Sequence, residues 1–121
     1  VADDHAVVRE GLVQILSREE DMEIVGEAVD GLDAVEQTSL LRPDVVLMDV
    51  TMPRLNGLEA TLRITSEFPD VKVVGLSMHA KEEMQPQMLA VGAVGYLPKN
   101  NPVEELIAVI HNVMTAEDFN G

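Results

Sequence analysis

The hydrophobic and polar positions of this chain follow two alternating periods. Short apolar runs are typical of buried parallel strands, and the longer stretches between them repeat apolar residues every three or four positions, which is typical of amphipathic helices. The predicted strands are Val1 to Ala2, Glu23 to Ala28, Val45 to Asp49, Val71 to Ser77 and Val94 to Leu97. The predicted helices run from Ala6 to the acidic stretch Glu19-Glu20-Asp21, and over Gly31 to Leu41, Gly57 to Phe68, Glu82 to Val91 and Val103 to Thr115.

Strands that alternate with helices indicate βαβ crossovers and an α/β, doubly wound parallel sheet. We predict a flavodoxin-like five-stranded sheet of order 2-1-3-4-5 with five helices, in one domain that spans residues 1–121. The first strand holds only Val1 and Ala2, so we interpret it as truncated and the chain as a fragment. Such a chain is expected to be marginally stable unless upstream residues or a partner chain supply the strand.

One residue conflicts with the helical pattern. Pro86 lies inside the fourth predicted helix, where proline removes an amide donor and clashes with the preceding turn. We therefore predict that this helix is short or begins at Pro86, with Lys81 to Gln85 irregular.

Charge and composition narrow the class of protein. Lys and Arg number 8 against 22 Asp and Glu, a formal net charge of −14, so this piece is repelled by nucleic acid and anionic membranes. It has no cysteine for disulfides, and no apolar run approaches the roughly 18 residues of a membrane span. We expect a soluble cytoplasmic domain with no membrane partner, in which any DNA contact comes from elsewhere.

Acidic residues follow two of the predicted strands. Asp49 ends one apolar run, and Asp3 and Asp4 follow Val1-Ala2. In the predicted strand order these strands are neighbours, so the three carboxylates converge at the carboxyl edge of the sheet. Close carboxylates repel one another unless a cation lies between them, and oxygen ligands suit Mg²⁺. The pattern therefore predicts a Mg²⁺ site.

Two further polar residues end strands on the same side. Ser77 closes the fourth strand, and Lys99 follows the fifth. Each alone is more often a turn cap or a solvated side chain. Beside the three acids, however, a hydroxyl and an ammonium are the groups that a phosphoryl group on Asp49 would need.

These segments together resemble the receiver domain of two-component response regulators, over essentially the whole chain. The resemblance rests on four features: Asp3-Asp4, the segment Met48 to Pro53 together with Gly57, Ser77, and the segment Gly95 to Lys99. His5, Val8 and Arg9 after the acids, and the Gly92-Ala93 pair before Gly95, are most similar to the NarL/FixJ-type regulators, which carry a LuxR-type helix-turn-helix output domain.

The resemblance implies a role for each of these residues. Asp49 would be the phosphoacceptor, with Lys99 and Ser77 contacting the phosphoryl oxygens. Asp3, Asp4, Asp49 and the backbone carbonyl of Thr51 would hold Mg²⁺. Thr51 and His79 would tune hydrolysis of the acyl phosphate.

The resemblance also implies a switch and a set of partners. Ser77 would move toward the phosphoryl group, and Tyr96 would turn inward and alter the face made by helix 4, strand 5 and helix 5. A sensor histidine kinase or a small phosphodonor would supply the phosphoryl group, and an absent C-terminal DNA-binding domain would read the switch; a homodimer stays open. Such a domain is not an enzyme in the usual sense, since it catalyses only its own phosphorylation and slow dephosphorylation.

Three other interpretations stay open at this stage. A phosphorylation-independent pseudo-receiver would act as an interaction module. A Mg²⁺-dependent phosphohydrolase also places an Asp nucleophile after an apolar strand, and Asp49-Val50-Thr51 has the Asp-x-Thr pattern of P-type ATPases. His5 and His79 with the acids could also form a transition-metal site, although the separation of the two histidines in the sequence is not that of a helix or a turn.

Overall fold

A computed structural model describes residues 1–50, 56–77, 81–98 and 102–120 of the chain. Within these residues three strands form one parallel sheet of order β1-β2-β3: β1 (Val45–Asp49), β2 (Lys72–Ser77) and β3 (Gly95–Pro98). The five helices are α1 (Ala6–Leu16), α2 (Gly31–Leu41), α3 (Gly57–Glu67), α4 (Lys81–Ala90) and α5 (Val103–Asn120).

The predicted strand order is confirmed, although its first two positions are reduced to single bridges. Ala2 forms parallel bridges to Ala28 on one side and to Met48 of β1 on the other. The segment that ends at Ala28 therefore lies outermost, Ala2 lies next, and β1, β2 and β3 follow, which is the order 2-1-3-4-5. The segment from Glu23 to Ala28 forms one bridge and not the expected ladder, because the neighbouring segment that it pairs with contains only Val1 and Ala2.

Helices cover both faces of the sheet, as the doubly wound prediction requires. Because side chains of a strand alternate between faces, neighbouring residues of β1 enter different cores. Met48 joins a cluster with Ala34 of α2 and Ile64 of α3, whereas Leu47 joins one with Leu16 of α1 and Ile110 of α5. Apolar continuity along the strands thus reflects burial on both sides.

Two helix boundaries differ from the pattern for local reasons. Helix α1 ends at Leu16, before the acidic stretch, and the Ser17 hydroxyl donates a 2.6 Å hydrogen bond to the Val13 carbonyl, in competition with the backbone. Helix α5 extends to Asn120 because no proline or glycine interrupts the sequence before Gly121.

The prediction for the fourth helix was wrong. Helix α4 begins at Lys81 and contains Pro86 as an internal residue. The preceding Lys-Glu-Glu-Met-Gln run consists of strong helix formers, and the proline removes only one amide from the hydrogen-bond ladder. Beyond it, Met88 is fully buried and anchors the rest of the helix to the core.

A cavity of about 820 Å³ lies beside the short first strand. Its walls include Ile24 and Gly26 on one side and Val45 and Leu47 on the other. The amino group of Val1 lies in it, with its nitrogen 3.4 Å from the Gly26 carbonyl oxygen. Whether a longer first strand stabilises the chain stays a prediction. Within the described ranges, no helix combines the length and apolar character that a membrane crossing requires.

Candidate functional site

Asp49 lies at the carboxyl end of β1 and is 1% exposed. Its backbone amide donates to the Ala2 carbonyl, and the amide of the next residue, Val50, donates to the Leu76 carbonyl. The strand is therefore held between both neighbours up to the point where it ends. The start of α3 packs directly against it, since a Cβ atom on Gly57 would overlap the Asp49 carbonyl oxygen.

Asp3 and Asp4 follow the bridge residue Ala2 at the same edge of the sheet. The Asp3 amide donates to the Ala28 carbonyl. The Asp3 side chain is fully buried, whereas Asp4 stays partly exposed. Asp3, Asp4, His5 and Asp49 each present one ligand atom, and these atoms all lie within 4.8 Å of one another. The fold thus brings together the three acids that the sequence pattern placed on neighbouring strands.

Two further residues belong to this site: His5, which the sequence offered only as a ligand of an alternative transition-metal site, and Arg9, to which it assigned no chemical role. The His5 amide donates to Asp3 Oδ1 at 2.8 Å, and its ring Nδ1 lies 3.2 Å from Asp3 Oδ1 and 3.2 Å from Asp4 Oδ1. Arg9 donates through a guanidinium NH group to the Asp3 carbonyl at 2.7 Å and pairs with Glu27 at 3.2 Å. Their position one to six residues after the acids, at the start of α1, was the available signal.

The donor set of this cluster fits a hard divalent cation. Three carboxylates dominate it, and the pocket opens to solvent through Asp4 and His5, so water can complete an octahedral shell. A soft metal would prefer thiolate ligands, and the chain contains no cysteine. The residues present therefore suit Mg²⁺, with the His5 ring at the rim of the same cluster.

Ser77 and Tyr96 lie on the two strands beyond Asp49. Ser77 is the last residue of β2, fully buried, and directly follows Leu76, the register partner of Asp49. Tyr96 lies in β3 and is 6% exposed, and its hydroxyl makes no hydrogen bond to any described residue. Both side chains are thus held inside the domain near the acidic edge.

Three predicted site residues lie outside the described ranges. These are Thr51, expected to offer a backbone carbonyl and to tune hydrolysis, His79, expected to tune hydrolysis, and Lys99, expected to contact the phosphoryl group. Their roles stay predictions.

Comparison with known proteins identifies the family. Residues 1–111 match the model of the response regulator receiver domain. The chain is 44% identical over 120 residues to the oxygen regulatory protein NreC of Staphylococcus epidermidis and 42% identical over 120 residues to NreC of Staphylococcus carnosus. Each match covers 98% of this chain but 55% of the relative, so the chain spans about half the length of these relatives.

Solved structures agree with this assignment. The signal receiver domain of the putative regulator NarL from Mycobacterium tuberculosis superposes with a TM-score of 0.87 at 33% identity, over 93% of this chain and 90% of that one. A LuxR-family two-component response regulator from Aurantimonas superposes with a TM-score of 0.90 at 30% identity, over 95% and 82% of the two chains. The chain that carries this acidic edge therefore belongs to the response regulator receiver family, and it is similar to regulators of the NarL and LuxR type.

Proposed function

We propose that this chain is the phosphorylation-controlled receiver of a two-component transcription regulator, with Asp49 as the phosphoacceptor. The observation that carries the proposal is the acidic cluster, in which Asp3, Asp4 and Asp49 present oxygen atoms within 4.8 Å of one another at the end of β1. Asp49 is the member that directly ends a strand and is nearly fully buried.

The chemistry is transfer of a phosphoryl group to a carboxylate. A carboxylate oxygen of Asp49 forms a bond to phosphorus, and the bond from phosphorus to the donor atom breaks, leaving the donor with that electron pair. The product is an acyl phosphate, which water later hydrolyses. Mg²⁺ held by Asp3, Asp4, Asp49 and the Thr51 carbonyl would lower the repulsion between the anionic nucleophile and the anionic donor.

The remaining polar residues act on the product. Ser77, buried at the end of the adjacent strand, donates its hydroxyl to one phosphoryl oxygen, and Lys99 neutralises another. Thr51 and His79, each two residues beyond a site residue in the sequence, tune hydrolysis of the acyl phosphate. The domain is therefore not an enzyme in the usual sense, because the group that it transfers stays on its own side chain.

The output of the reaction is a change of surface. The phosphoryl group adds about −1.5 to −2 charges and favours the state in which Ser77 and Tyr96 are drawn inward. The face formed by α4, β3 and α5 then changes shape. A sensor histidine kinase in the cytoplasm supplies the phosphoryl group, and a helix-turn-helix domain beyond this chain reads the change, alone or through a homodimer.

Intact-mass measurement tests the phosphoacceptor directly. The chain is incubated with acetyl phosphate, with and without Mg²⁺, beside Asp49→Asn and a matched control, Asp70→Asn, which removes an exposed carboxylate between α3 and β2. We expect a Mg²⁺-dependent gain of about 80 Da, one phosphoryl group, in the parent and the control and none in Asp49→Asn.

The other outcomes separate the alternatives. A folded parent chain that gains no mass would favour a phosphorylation-independent interaction module. Release of inorganic phosphate without a retained adduct would favour a phosphohydrolase. A mass gain that persists in Asp49→Asn would place the acceptor on another side chain.

A further inference from the structure

The geometry points to Gly75 as the residue that positions the Tyr96 ring inside the domain. We infer that the absent side chain of Gly75 creates the space in which this ring lies, and that a single methyl group at this position displaces the ring. The inference deepens the proposed function, since it rests on Tyr96 as part of the switch, and it identifies a residue that sets the position of the switch.

Gly75 and Tyr96 are direct register partners across the parallel pair β2 and β3. Paired residues of neighbouring strands project to the same face of a sheet, so any side chain at position 75 would point at the Tyr96 ring. Glycine inside a strand weakens it and often marks a place where another group approaches closely. Here the approaching group is an aromatic ring.

The distances from a Cβ atom at position 75 to its neighbours show how little space is available there. A Cβ atom at position 75 would lie 2.9 Å from Tyr96 Cδ1 and 2.9 Å from the Cε methyl of Met88. The methionine methyl is the end of a flexible side chain and can move. The tyrosine ring is rigid and packs in one cluster with Val50, Met88 and Ala93, so we expect it to make room by moving out of this cluster.

The polar end of Tyr96 makes the inward position easy to lose. Its hydroxyl is buried and has no hydrogen-bond partner among the described residues. Since no described residue supplies its hydrogen bond, the hydroxyl would regain one in water, whereas burial of the ring favours the inward position. A small steric change at position 75 is therefore enough to shift the equilibrium.

The same cluster is continuous with the acidic site. Val50, which contacts the ring cluster, is the residue directly after Asp49, and Ser77 is two positions beyond Gly75 on the same face of β2. Met88 connects the ring to α4. The Gly75 space thus lies between the predicted phosphoacceptor and the helix whose surface is expected to change.

The chain carries its own probe for this inference, because it has one tyrosine and no tryptophan. Acrylamide quenching of tyrosine fluorescence in the parent chain, Gly75→Ala and Gly95→Ala measures how far Tyr96 is shielded. Gly95→Ala is the matched control, since adjacent residues of a strand project to opposite faces and its Cβ would contact Val109 and Val74. Far-UV circular dichroism and urea titration establish that each variant is folded.

We expect quenching in Gly75→Ala to rise toward that of the urea-unfolded chain, which corresponds to a shift of about tenfold in the ratio of inward to outward rings. Gly95→Ala should remain as shielded as the parent. Adding Met88→Ala to Gly75→Ala gives the ring room to shift sideways, so the double variant should regain shielding.

A folded Gly75→Ala variant whose tyrosine stays as shielded as in the parent overturns the inference. If that variant does not fold, the double variant decides: a folded chain with a shielded ring supports the inference, and an exposed ring, or no folded chain, overturns it. Quenching requires neither phosphodonor nor Mg²⁺, so a failure of phosphorylation at Asp49 is a separate result.

Discussion

The guanidinium group of Arg9 donates a 2.7 Å hydrogen bond to the backbone carbonyl of Asp3. A second nitrogen of the same group lies 3.2 Å from Glu27, so one side chain of α1 connects the acidic loop to the segment that ends at Ala28. The bridge at Ala2 and the hydrogen bond from the His5 amide also hold Asp3. Arg9 thus links two chain segments at the acidic edge and is placed to hold the Asp3 backbone in position.

Arg9→Met is therefore expected to weaken Mg²⁺ binding. Removing a nearby positive charge would by itself strengthen binding of a cation, so a weaker site would identify a positional role. Residues that orient metal ligands typically change affinity by about 10-fold to 100-fold when they are removed. Calorimetric titration with MgCl₂ measures the dissociation constant. Arg9→Lys keeps the positive charge but cannot contact Asp3 and Glu27 at once, so its dissociation constant should lie between those of the parent and Arg9→Met. Arg18→Met, a change at an exposed residue, should leave the dissociation constant unchanged.

Gly57→Ala is expected to destabilise the chain even though alanine is the better helix former. The new Cβ would overlap the Asp49 carbonyl oxygen and lie 2.6 Å from the Val50 Cα, and backbone atoms of a buried strand cannot yield. The cost of about 3 kcal/mol exceeds the gain of about 1 kcal/mol from helix propensity. Urea unfolding measures the difference. Gly11→Ala in α1, where a Cβ meets nothing within 4 Å, should instead stabilise by about 1 kcal/mol.

Pro86→Ala is expected to stabilise α4. The substitution restores one amide donor to the helix and removes the clash with the preceding turn, for a gain of up to about 3 kcal/mol. Thermal unfolding followed by far-UV circular dichroism measures the change as a higher Tm. Pro102→Ala is the control, because Pro102 precedes α5 and no intrahelical bond is lost there. A Tm that falls in Pro86→Ala would show that the ring itself contributes packing.

Periodicity along the chain predicted the order of the elements. That prediction held because both faces of the sheet are covered, so the central strands are short apolar runs that stand out from the helical pattern between them. The prediction for the helix that contains Pro86 was wrong. The free-energy cost of one missing amide hydrogen bond is smaller than the stabilisation from the helix formers before the proline and from burial of Met88 after it. The strand at Glu23 to Ala28 was reduced to one bridge because pairing depends on a partner strand and not on local sequence.

The sequence by itself determined which chemical groups end the strands, because an acid after an apolar run can lie only at the edge of the sheet. It thereby determined the donor types of the acidic cluster and the cation that suits them. Only the tertiary structure decided that His5 and Arg9 contact Asp3, and that the Gly75 position faces the Tyr96 ring. These relationships depend on distances between side chains and backbone atoms of different elements, which follow from helix packing and strand register and leave no periodic trace in the chain.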